Sequence, residues 1–162
     1  MNKRTLWKFW LCALSLLLNP PIDAFAQTFW KTQGHLALIA MQYPQFPNKY
    51  VTLNVDFDPA SRCAPTIGVI ITENTTLGTF RTSKQSTENM LIKIGNTRWR
   101  ERTVLAEYSG GIEAMMRAPS DLMAALRLSD NVEVQIFSKE PIFLFGLTGA
   151  ANAIDQARSN CH

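Results

Sequence analysis

Apolar and polar residues alternate in "YVTLNVDF", residues 50–57, with Val51, Leu53, Val55 and Phe57 on one side and Thr52, Asn54 and Asp56 on the other. A period of two predicts a half-buried strand, which Asp58-Pro59 ends. The alternation recurs in Met90, Ile92 and Ile94, and Gly95-Asn96 then supplies the positive-φ pair of a tight hairpin leading into "TRWRERTVLAEY". Ser109-Gly110-Gly111 marks a second turn, after which "IEAMMRA" fits strand and helix periodicity equally. In "CAPTIGVIIT", residues 63–72, alternation puts Cys63 on the side of Ile67, Val69 and Ile71, with Pro65 bending the start of the strand. "NVEVQIF" turns Val132, Val134 and Ile136 inward, whereas "IFLFGL" after Pro141 is apolar on both faces and suits a central strand covered by the last helix. "FWKTQGHLALIAM" opens as a strand, and its continuation reads either way.

Two stretches change period. "SDLMAALRL" carries Leu122, Met123 and Leu126 on one side, with Ser120 as a cap and Asp121 in the first turn, so a short helix is expected over 120–128. From Thr148 onward Ala150, Ile154, Ala157 and Cys161 form one apolar stripe, which predicts a C-terminal helix. The resulting fold class is mainly β within α+β: an antiparallel β-sandwich-like domain of six to nine strands with two short helices.

The first residues belong to a different kind of segment. Lys3, Arg4 and Lys8 precede an apolar run from Phe9 to Leu18, and Ala24-Phe25-Ala26 is a small-x-small cleavage site. That is the pattern of a secretory signal peptide over 1–26, leaving 27–162 as a single exported domain. The apolar run is about half the length a spanning helix needs, so no transmembrane anchor is expected after cleavage. Of the 16 basic and 13 acidic side chains, three basic and one acidic leave with it, so the excess positive charge falls to about one. The exported chain is therefore near neutral, which argues against a nucleic-acid partner.

Cys12 also leaves, and the exported domain keeps Cys63 and Cys161. In an oxidising compartment two such residues normally join, and both periodicities turn their sulfurs toward one interior. A cross-link between them would hold down a short terminal helix that buries little area by itself.

The chemistry available to an enzyme is sparse. His35 and His162 are the sole imidazoles, and no C-x-x-C, G-x-S-x-G, phosphate loop or metal-ligand spacing occurs, so neither catalysis nor a cofactor is expected. Asp56 and Asp58 could be imagined as a carboxylate pair, but aspartates beside Pro59 are explained by the turn. The most unusual polar feature is "TRWRERT", with Arg98, Arg100 and Arg102 on one face of a strand and Trp99 and Glu101 on the other. Such a row either meets an acidic partner or a phosphate, with Trp99 anchoring the interface, or it is a solvated face that deters edge pairing while Trp99 fills the core. Arg98, Trp99, Arg100 and Arg102 are thus the candidate interface.

"DLMAALRLSDNVEVQIF" followed by "PIFLFGLTGAANAIDQARSNC" resembles the end of two groups of small exported bacterial proteins. These are the periplasmic VasI-like accessory proteins of type VI secretion clusters and the invasion-associated locus B family. The resemblance spans about residues 112–161. It implies a β-rich periplasmic module, with the terminal cysteine paired to Cys63 as in the first group. The expectation is a periplasmic or secreted, non-catalytic binding module of the bacterial envelope that serves another envelope or secretion-system protein. A secreted enzyme or enzyme inhibitor is the alternative, to be favoured if His35, Asp56, Arg98, Arg100 or Glu101 converge in a cleft.

Overall fold

The computed structural model describes residues 29–73, 82–108, 111–136 and 141–162. The expected signal peptide lies outside the described residues. The strands are β1 (Lys31–Gln33), β2 (Leu36–Gln42), β3 (Tyr50–Asp56), β4 (Thr66–Thr72), β5 (Thr82–Ile94), β6 (Thr97–Tyr108), β7 (Gly111–Arg117), β8 (Asn131–Gln135) and β9 (Phe143–Gly146). Two helices accompany them, α1 (Ser120–Leu128) and α2 (Ala150–Ser159). All the strands join one antiparallel sheet in the order β1-β2-β3-β4-β7-β6-β5-β8-β9.

One sheet supplies both layers because β5 and β6 are long enough to pass from one to the other. β7 pairs only with the second half of β6, residues Val104–Tyr108, while β8 pairs only with Leu91–Lys93 in β5. The sheet curls until its ends meet. Tyr43, just beyond β2, packs edge-on against Phe143 of β9 with ring centroids 5.2 Å apart, and the Trp30 indole donates to the Gly146 carbonyl at 2.9 Å. The enclosed apolar side chains form a single core that includes Leu53, Ile67, Met90, Ile92, Leu122, Val134, Phe143 and Ile154.

The helices close the interior. α1 buries Leu122, Met123 and Leu126, and α2 buries Ala150, Ala153, Ile154 and Ala157, as their apolar stripes require. Pro119, not Ser120, occupies the cap of α1 and makes no side-chain capping bond. Ser120 is the first helical residue, because Pro119 is already extended and passes its carbonyl to the Met123 amide. α2 packs on β1 and β2, and Arg127 of α1 reaches Asp155 of α2 at 2.7 Å.

Cys63 and Cys161 are disulfide-bonded. Cys63 does not extend β4, as simple alternation implied. Asp58 caps a turn of 3-10 helix at Pro59–Ser61, and Arg62 and Cys63 follow with positive φ, so the strand starts only at Thr66. Two successive non-glycine residues in the left-handed region are costly, and the bond to the tail and the turn hydrogen bonds to Asp58 hold them there.

Two strands differ from their expected setting. β3 is buried on both faces, with Thr52 at 9% and Asn54 at 5% exposure, because its outward side chains are short and lie between the buried Leu38 of β2 and Ile70 of β4 on the same face. Among the described residues β9 is an edge strand, not a central one, and α2 packs on β1 and β2; Phe143 and Phe145 are buried, while Leu144 and the preceding Ile142 stand outward at 58% and 56% exposure. The stretches whose periodicity reads either way, 34–42 and 112–118, form β2 and most of β7.

Candidate binding face

The outer face of β6, β5, β8 and β9 is assembled by register. Arg98 lies opposite Lys93, Lys93 opposite Glu133, and Glu133 opposite Leu144, giving one row across four strands. The next row runs from Arg100 to Leu91 to Gln135, beside Ile142, and the third sets Arg102 opposite Asn89. Since side chains two apart in a strand share a face, the three arginines form a column and the leucine and isoleucine border it. Leu91, Lys93, Arg98, Glu133, Gln135 and Ile142 line a shallow groove of about 250 Å³.

The charges on this face are unbalanced. Lys93 meets Glu133 at 2.7 Å, the one ion pair on this face among the described residues. Arg98, Arg100 and Arg102 are exposed and make no ion pair or side-chain hydrogen bond among the described residues. Their neighbours in β5 are Lys93, Leu91 and Asn89, none of which can neutralise a guanidinium. The face therefore holds an uncompensated positive column next to exposed aliphatic groups, which is a setting for a partner carrying carboxylates and apolar area.

Trp99, grouped with the arginines as an interface residue, belongs elsewhere. The residue alternates inward opposite Ile92, is nearly buried, and donates its indole N–H to the Asp121 carboxylate at 2.8 Å. That hydrogen bond holds the Asp121 carboxyl below the usual aspartate range. Trp99 thus ties the start of α1 to β6 from behind the arginine column and presents no ring to a partner on the outer face.

The other polar candidates do not join this face. His35, in the β1–β2 turn, contacts Asp56 at the end of β3 with 2.7 Å between Nδ1 and Oδ1. β4 and β7 separate β3 from β6 in the sheet, so the imidazole and carboxylate stand apart from Arg98, Arg100 and Glu101. Asp58 is occupied in its turn, accepting from the Ala60 amide. No group of three potential metal ligands occurs among the described residues. Sequence reasoning missed Ile142 and Leu144 as surface groups. Their signal was the pair of exposed-type flanks, Pro141 before and a Gly-containing turn after, which mark a short strand suited to an edge.

No family model matches the chain, and no curated protein matches it. Among solved structures the chain is similar to the crystal structure of invasion associated protein B from Bartonella henselae, at 15% identity and a TM-score of 0.46. That match covers 81% of this chain and 96% of the other.

Proposed function

We propose that this chain is an exported, non-catalytic binding module of the bacterial cell envelope, an accessory component that engages another envelope or secretion-system protein through the outer face of β6, β5, β8 and β9. The observation that carries the reading is the column Arg98, Arg100 and Arg102, without counter-ions among the described residues, on the same outer face as the exposed Ile142 and Leu144, with β5 and β8 between them. Aliphatic area gives such a contact its affinity, and unneutralised guanidiniums select an acidic partner and speed encounter. Export is supported by the signal-like pattern of residues 1–26 and by the Cys63–Cys161 disulfide, a bond that persists in oxidising compartments.

The test is capture from the native envelope fraction with the tagged wild type, the triple variant Arg98→Ala/Arg100→Ala/Arg102→Ala, and the variant Lys31→Ala on β1. A binding partner retained by wild type and Lys31→Ala and lost by the triple variant is the expected result. Equal retention by all three, or turnover of a small substrate by the purified protein that survives the triple substitution, would overturn the reading.

A further inference from the structure

Resting on that reading, we propose how the partner is held: an extended acidic segment adds as a strand to the free edge of β6 between Thr97 and Arg102, its carboxylates facing Arg98, Arg100 and Arg102. β6 is paired with β5 along its whole length, but β7 reaches it only from Val104 onward. The first half of β6 thus has a strand on one side and, among the described residues, none on the other. A strand edge offers a row of backbone donors and acceptors ready for an incoming chain.

The side chains on this edge determine which chain can enter. Residues of an added strand that share the arginines' face come within cross-strand contact of them, at the same two-residue repeat. On the β5 side the arginines face Lys93, Leu91 and Asn89, and Lys93 is already satisfied by Glu133. The charge is therefore open toward the free edge, and carboxylates at alternate positions of the incoming strand complete it. A second copy of this chain fails the same requirement. Two β6 edges paired antiparallel would set arginine columns side by side on one face, and like charges opposite each other repel. The in-between residues of the incoming strand lie on the side of Trp99, Glu101 and the start of α1, where the Glu101 carboxylate disfavours a further acidic side chain.

The experiment measures binding of a short labelled peptide alternating glutamate and threonine to the purified protein by fluorescence anisotropy, with amide exchange of residues 97–102 as a second reading. Saturable binding, loss by about tenfold or more in the Arg98→Ala/Arg100→Ala/Arg102→Ala variant, and slowed exchange in β6 are expected. Two backbone-methylated peptides, each blocking one alternate set of N–H groups, separate strand addition from charge contact. One should lose binding and the other keep it. Equal binding of both methylated peptides, equal binding of a lysine-for-glutamate peptide, or no binding at all would overturn the proposal. Absence of peptide binding while partner capture still depends on the three arginines rejects strand addition and leaves the interface reading intact. Peptide binding with arginine-independent capture supports strand addition and rejects the interface reading.

Discussion

β3 and β9 belong to one sheet and are completed in opposite ways. β3 has a neighbour on each side and buries even Thr52 and Asn54, with the Asn54 amide lying across Gly68, where a Cβ would stand 2.7 Å from Oδ1. The connection after it is locked to the tail by the disulfide. Among the described residues β9 has a neighbour on one side; it buries Phe143 and Phe145 and leaves Leu144, with Ile142 just before it, in the open on the outer face that also carries the arginine column. Closure on both faces makes the first region a stability element. The second region buries its inner face and leaves its outer face open, the face proposed to meet a partner.

Substitutions should separate the two regions, and the largest effect belongs to the closed one. Cys161→Ser opens a loop with a sequence separation of 98 residues, for which loop entropy gives about 4 to 5 kcal/mol. The melting temperature under oxidising conditions should fall by about 10 °C or more, and reduction should bring wild type down to the variant. Within β9 the two faces should differ sharply. Phe143→Ala should cost about 3 to 5 kcal/mol in denaturant unfolding, and Leu144→Ala about 0.5 kcal/mol or less. Similar costs for both would mean the outer face is structural. At the centre, Gly68→Ala should destabilise by about 1 to 3 kcal/mol because Asn54 has to yield. In the Asn54→Ser background that cost should shrink, which a double-mutant cycle would measure.

A smaller effect is tied to pH. The Trp99 hydrogen bond lowers the folded-state pKa of Asp121, so its contribution is complete above the ordinary aspartate value and is lost as pH falls through the folded value. Trp99→Phe should therefore differ most from wild type at neutral pH, and the gap should narrow in acid unfolding curves below about pH 4. A gap of constant size would show that the hydrogen bond adds nothing beyond packing. Smallest of all, the triple arginine variant should leave unfolding within about 0.5 kcal/mol of wild type, since those side chains are exposed and make no ion pair or side-chain hydrogen bond among the described residues.

Local periodicity made much of this architecture legible. Val132, Val134 and Ile136 point inward as alternation requires, and both helices bury their apolar stripes. Alternation also assigned Trp99 to the side away from the arginines, although Asp121 as its acceptor could not be read. What a single strand's pattern cannot carry is the number of neighbours it will have. Thr52 and Asn54 look like solvent-facing residues until Leu38 and Ile70 of the neighbouring strands lie beside them on that face, and the room for Asn54 exists because Gly68 next door lacks a side chain. "IFLFGL" looks central because it is apolar throughout, yet among the described residues no strand follows β9 in the sheet. The candidate face was half visible: the arginine column followed from spacing, while its aliphatic border depends on β9 pairing outside β8, and the free edge on β7 reaching β6 only from Val104 onward.

The most direct test of the binding face is site-specific photo-crosslinking in the intact envelope. A crosslinking side chain placed at Arg100 or Leu144 should form an adduct with the same envelope protein, and one placed at Lys31 on β1 should not. An adduct from Lys31 with none from Arg100 and Leu144 would contradict the account.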